Sequence, residues 1–170
     1  AAPTDATICS DEPRPHAQEP IIRISLDATP LLGRRTGVGR YVEGLLGALV
    51  DGTEDDVSVT AFTLRGAGRL PGVVPAVVEV HSRPVPARLL RGLWSRADWP
   101  SVALLAGGSD VFHGTNFVLP PTGRAAGVVT VHDLTFLRHP ETVDRASTAY
   151  RELVPRSIAR AGQVVVPSAA

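Results

Sequence analysis

The sequence predicts an α/β domain of the Rossmann-like, doubly wound kind: a mainly parallel sheet with helices on both faces. Three observations carry this. Short apolar runs rich in Val and Ile alternate with longer stretches whose apolar residues recur at helical spacing, which is the pattern of βαβ units. Polar residues collect just past the ends of those runs, where open parallel sheets place their ligand crevice. With 170 residues, 44% of them hydrophobic, the chain is long enough for one well-buried core.

The elements follow in order. Residues 21–28 (IIRISLDA) read as a buried strand bounded by Pro20 and Pro30. Residues 30–35 form a loop. Val38, Tyr41, Val42, Leu45, Leu46 and Leu49 then recur at i, i+3, i+4, i+7, i+8 and i+11, an amphipathic helix that stops near Gly52. Residues 57–64 are a second strand, 66–75 a Gly/Pro-rich loop and 76–81 a third strand. Pro86 suits the start of a helix over residues 86–98, broken by Trp99-Pro100, with a short helix over 101–106. Strands are expected at 110–113 and 125–132. A helix over 144–161 carries Pro155, which should bend it or remove a hydrogen bond. Residues 163–167 (QVVVP) are a sixth strand.

Composition removes several functions. Seventeen basic residues balance seventeen acidic ones, so the basic excess of a general nucleic-acid binder is missing. All the basic residues are Arg, which excludes a lysine Schiff base and a P-loop lysine. Cys9 is the one cysteine, too few for an internal disulfide or a cysteine-based zinc site. No apolar run approaches the roughly 18 residues of a membrane span. Residues 1–20 are rich in Pro, Ala and acidic side chains and are expected to be a flexible tail before a domain over 21–170. The chain lacks Met and stops just past a strand, where a covering helix is expected. The first fits either a removed initiator or a piece of something longer; the second suggests a cut through a larger protein.

The strand-end residues are Asp27, the run His113-Gly114-Thr115-Asn116, the pair His132-Asp133, and Ser168. They should converge on one sheet edge with the loop Thr36-Gly37-Val38-Gly39-Arg40. The amides around Gly37 and Gly39 open a helix and so suit a phosphate oxygen; that reading goes ahead of an ordinary glycine turn only because the loop opens at the strand-end edge. Val42 stands where a dinucleotide fingerprint needs its third glycine, so a nicotinamide site is disfavoured. His132 can donate to a sugar hydroxyl or act as acid or base; the competing reading is a His-Asp pair that anchors the following loop. For His113 a partly buried, backbone-bonded imidazole is the plainer reading. His113, His132 and Asp133 make a conceivable metal set that their spacing does not demand. The helix over 86–98 reads best as a cover for the sheet with solvated Arg residues; the alternative is a surface-seeking helix for an anionic membrane.

Five segments taken together resemble a known family: IRISLDATPLLGRRTGVGRYVEGLLGAL, LWSRADWPSVALL, DVFHGTNFVLPP, VVTVHDLTFLRHPE and YRELVPRSIARAGQVVVPSAA. They are similar to the N-terminal, acceptor-side domain of family 4 glycosyltransferases, retaining enzymes of the two-domain GT-B architecture, many of them mannosyltransferase-like. The resemblance implies transfer of a hexose, mannose favoured, from a nucleotide-sugar donor to a glycan or lipid-linked acceptor. It implies no cofactor and no metal; the donor, GDP-mannose by preference, is a substrate. His132 and Asp133 are the implied catalytic residues. Gly37, Gly39 and Arg40 are implied contacts of the donor diphosphate or acceptor, with Asp27, His113 and Asn116 as further cleft contacts. The implied partners are a C-terminal donor-binding domain that lies outside this chain, the acceptor, and a peripheral contact at the inner face of the membrane of a cytoplasmic enzyme, with no nucleic acid. Without the second domain, at most weak activity is expected. The competing expectation is a non-catalytic sugar- or nucleotide-binding module.

Overall fold

The computed structural model describes residues 20–34, 36–64, 66–142 and 149–167. Its centre is one sheet of six parallel strands in the order β3-β2-β1-β4-β5-β6. They are β1 (Arg23–Asp27), β2 (Asp56–Thr60), β3 (Glu79–Val80), β4 (Val111–Gly114), β5 (Ala126–Thr130) and β6 (Gln163–Val165). The helices are α1 (Gly37–Gly52), α2 (Ala87–Trp94), α3 (Val102–Ala106), α4 (Thr135–Arg138) and α5 (Tyr150–Arg160). The strand order reverses between β1 and β4, and that switch point is where doubly wound sheets open their crevice.

The two faces of the sheet bury separate cores, because successive side chains alternate across a strand. Leu26, Ala28, Val59 and Ala61 pack with Leu46 of α1 and with Leu70 on one face. Phe62, Phe112 and Val129 pack with Leu90 and Trp94 of α2 and Leu153 of α5 on the other. The Arg-bearing helix α2 therefore does cover the sheet. Arg160, at the end of α5, donates to the Trp94 carbonyl (3.0 Å) and to the Asp98 carboxylate, and so ties the two covering elements together.

The α1 helix forms where its apolar spacing predicts. Thr36 caps it, its hydroxyl accepting from the Gly39 amide at 3.2 Å, a contact worth about 1 kcal/mol. Several boundaries differ from the sequence reading. β3 shrinks to two residues because residues 76–78 turn, leaving Val77 exposed. β2 ends at Thr60, and α2 ends at Trp94, before the Trp99-Pro100 break. The loop expected at 30–35 holds a 3-10 turn over Thr29–Leu32, and the Gly/Pro-rich loop holds another over Ala67–Gly72. Between β4 and β5 the chain crosses over without a helix, through residues 115–125. Pro155 sits inside α5 without ending it; its missing N–H falls on the exposed side, where water can serve the freed carbonyl. The expected tail, the start of the 144–161 helix and Ser168 lie outside the described residues.

Candidate functional site

The C-terminal edge of the sheet gathers the strand-end residues into one hydrogen-bonded cluster. Thr115, just past β4, is fully buried and bridges its neighbours. Its hydroxyl donates to the Asp27 carbonyl at 2.5 Å, across the β1/β4 switch point. Its own carbonyl accepts from His132 Nε2 at 2.9 Å. A carbonyl can only accept, so Nε2 carries a proton and Nδ1 is the ring nitrogen left for a substrate group. The ring is clamped edge-on between Tyr41 of α1 (5.2 Å between centroids) and Phe117 (5.5 Å). Phe117 holds this position in the left-handed region, φ 63°, a conformation that costs a non-glycine residue about 1 kcal/mol or more.

His113 lies one strand away but in a different environment. It is buried, 8% exposed, and its Nε2 meets the Thr130 hydroxyl at 2.8 Å. The Tyr41 hydroxyl shares that Thr130 oxygen at 3.0 Å. Burial, with the nearby His132 as a smaller cause, pulls the His113 pKa down to about 4, so it is neutral at pH 7. The expected backbone bond is therefore replaced by a hydroxyl. The Nε2 atoms of His113 and His132 are thus both committed, one to a hydroxyl and one to a carbonyl. Among the described residues no three His, Cys, Asp or Glu side chains lie close enough to hold a metal ion.

The first turn of α1 adjoins this cluster, because Tyr41 directly follows Arg40. Gly37 is exposed, and a Cβ there would meet nothing. Gly39 is buried, and a Cβ there would come 3.3 Å from the Pro30 carbonyl, so its small size serves packing as well. Arg40 is exposed. The Gly37 and Val38 amides have no hydrogen-bond partner among the described residues, and the helix dipole favours an anion there. Asp133 is exposed, and its carboxylate accepts from the Thr135 amide at 2.8 Å, fixing the start of α4. That is the loop-anchoring geometry.

Asp27 and Asn116 open to the other side of the Thr115 ridge. Asp27 Oδ1 takes both the amide (2.9 Å) and the hydroxyl (2.5 Å) of Thr29. Burial raises the carboxyl pKa, and the Thr29 bonds offset part of that rise. Asp27 and Asn116 line a cavity of about 140 Å³ with Phe62, Arg91 and Trp94. His132 and Asp133 instead line a groove of about 510 Å³ with Leu134, Ile158 and Val166, and Gly39 lines a third depression beside Pro30. The predicted residues thus share one edge, but only Asp27 and His132 are joined through Thr115, and Asp27 with Asn116, His132 with Asp133, and Gly39 line three separate depressions. Sequence reasoning placed Thr115 at the strand end without giving it a role, and missed Tyr41 and Thr130. Thr130 carried a signal, a hydroxyl inside the otherwise apolar run VVTV; Tyr41 read as one more member of an apolar stripe.

A six-stranded parallel sheet with helices on both faces and a switch point between β1 and β4 defines a domain of the doubly wound α/β class. Residues 36–170 match the family model of the glycosyl transferase 4-like domain, and the chain belongs to that family. It is accordingly a glycosyltransferase module, of the α/β fold found in one half of a GT-B enzyme. No curated protein and no solved structure matches the chain. Among the described residues no helix is long and apolar enough to cross a membrane.

Proposed function

We propose that this chain is the N-terminal, acceptor-side domain of a retaining hexosyltransferase. In this reading it works with a donor-binding domain outside the chain and moves a hexose, mannose favoured, from a nucleotide sugar such as GDP-mannose to a glycan or lipid-linked acceptor. The observation that supports it most is His132: its Nε2 is fixed on the Thr115 carbonyl, its ring is clamped by two aromatics, and its Nδ1 is left over at the sheet edge beside the first turn of α1.

In this mechanism the bond between the sugar C1 and the donor phosphate oxygen breaks, and its electron pair leaves with the diphosphate. The acceptor oxygen bonds to C1 on the same face, and its proton passes to the departing phosphate. The amides of Gly37 and Val38 hold the developing phosphate charge at the α1 N-terminus, with Arg40 beside them. His132 Nδ1 accepts from a donor-sugar hydroxyl, and Asp133 keeps the turn after β5 in place. Asp27 and Asn116 act on the acceptor side of Thr115; His113 acts from the other side, holding the Thr130 hydroxyl that also meets Tyr41, whose ring packs on His132. The donor is a substrate, and no cofactor takes part.

The test is His132→Ala in the protein that carries both domains. Transfer is expected to fall about 10²–10⁴-fold, with the Tm moved by only a few degrees. Near-normal transfer would remove the assigned role. Ligand binding that is intact with no turnover in any donor screen would instead favour a sugar- or nucleotide-binding module.

A further inference from the structure

Two neighbouring depressions share one side chain. The first is the strand-end cavity of about 140 Å³ between Asp27, Asn116 and Trp94. The second is a groove of about 510 Å³ along α2, lined by Arg88, Arg91 and Arg96, with Glu152 as its acidic side chain. Arg91 lines both. It is half-buried, and neither it nor Arg88 has a hydrogen bond or ion pair among the described residues. Its guanidinium is thus uncommitted where the two depressions meet, and its planar fork matches a phosphate. Arg160, by contrast, is fully engaged by Asp98 and backbone carbonyls. The chain as a whole carries no net charge, so the positive groove is a local feature.

The cavity has a different chemistry. Both Thr29 bonds fall on Asp27 Oδ1, so Oδ2 has no donor among the described residues. The side-chain amide of Asn116 is likewise uncommitted there. Phe62 and Trp94, packed edge-on at 5.2 Å, form an apolar wall. Trp94 spends its N–H on the Pro100 carbonyl, so the indole offers the cavity no polar group. A carboxylate and an amide beside an aromatic wall suit hydroxyls on a small carbon skeleton. The volume lies below the roughly 300–1,000 Å³ of pockets that enclose a drug-sized ligand, so it fits a single head group.

We propose that the acceptor of this domain is a phosphate-bearing polyol, its hydroxyl end in the Asp27–Asn116 cavity and its phosphate on Arg91, Arg88 and Arg96. This deepens the transferase reading and rests on it. Soluble polyol phosphates and anionic phospholipid headgroups share that chemistry, and the test separates them.

The full chain is titrated by calorimetry with glycerol 3-phosphate and glucose 6-phosphate, against glycerol, glucose and inorganic phosphate. Sedimentation with phosphatidylglycerol-containing vesicles, against pure phosphatidylcholine, forms the second arm. Soluble phosphate esters are expected to bind at least tenfold tighter than their neutral counterparts. Binding confined to the anionic vesicles identifies the lipid source and equally supports the proposal. Arg91→Gln should abolish the preference in either arm. The exposed pair Arg88→Gln with Arg96→Gln should weaken it at least threefold without disturbing the fold, and Asp27→Asn should weaken the esters but not inorganic phosphate. No preference for phosphate in either arm overturns the proposal, as does measurable binding of the soluble esters that is no tighter than that of inorganic phosphate. In the two-domain enzyme, transfer to a neutral sugar that ignores Arg91→Gln sinks this proposal alone; no transfer with any donor sinks the transferase reading, while the binding result stands separately.

Discussion

The ends of β4 and β5 lie side by side on the same sheet edge, and each offers a histidine, yet they are built to opposite purposes. Past β4 the chain closes in: His113, Gly114 and Thr115 are all buried, and the following crossover lies directly on Gly114. Past β5 it opens: His132 is half-buried and Asp133 and Leu134 are exposed. His113 Nε2 meets a hydroxyl inside the sheet layer, whereas His132 Nε2 meets the Thr115 carbonyl and the residue lines the open groove. Position at a strand end therefore does not by itself mark a chemical residue. Both rings commit Nε2; what separates them is burial, His113 being sealed beneath the crossover and His132 standing in the wall of an open groove.

The sharpest way to break this contrast is at Gly114. A Cβ there would sit 2.3 Å from the Val118 carbonyl oxygen and 3.1 Å from the Leu119 Cα, and backbone cannot yield as a flexible side chain does. Gly114→Ala is expected to cost about 3 kcal/mol, lowering the Tm by about 6–12 °C in a thermal melt. His132→Ala, at the open end, should cost about 1 kcal/mol while removing transfer. A Gly114→Ala protein as stable as the parent would mean that the β4 end is not sealed.

The second test uses protons. His113 has its pKa pulled down from the ordinary 6.5 to about 4. Between those values the unfolded chain binds the proton and the folded one does not, so stability falls as the pH is lowered from about 6.5 to about 4 and then levels. The gap corresponds to about 3 kcal/mol, at about 1.4 kcal/mol per pKa unit. Asp110, held down to about 2 by Arg23, weakens the fold only further into acid, so the windows separate. His113→Gln should flatten the slope between pH 6.5 and 4 in urea titrations; an unchanged slope would place the proton uptake elsewhere.

Much of the fold was legible because periodicity is local. The stripe from Val38 to Leu49 made α1, and the apolar runs made β1, β4 and β5. What failed was short or set by context. β3 has only two paired residues, and α4 spans four residues, too few to show a period. At the site, Asp27, His113, Asn116, His132 and Asp133 were visible as polar residues at strand ends. Tyr41 and Thr130 were not, because their contact joins residues 89 apart in sequence and depends on how α1 lies across the sheet. Arg91 read as a solvated face residue. Only the packing of α2 shows that this half-buried residue lines two depressions at once.

The smallest expected effects sharpen the same distinction between a satisfied group and one that is not, within the core itself. Ser157 of α5 and Ser25 of β1 are both buried. Ser157 accepts from the Leu119 amide at 2.9 Å and donates to the Leu153 carbonyl at 2.7 Å. Ser157→Ala orphans a buried amide and should cost about 1–3 kcal/mol. Ser25 Oγ is the one fully buried side-chain polar atom without a partner among the described residues. Ser25→Ala removes an unpaired hydroxyl and leaves a methyl of similar shape, so it should be neutral or stabilise by up to about 1 kcal/mol. Urea unfolding of the two variants side by side checks this. A clear loss of stability in Ser25→Ala would mean that its hydroxyl has a partner after all, such as a buried water, and that the β1 side of the core is as fully satisfied as the α5 side.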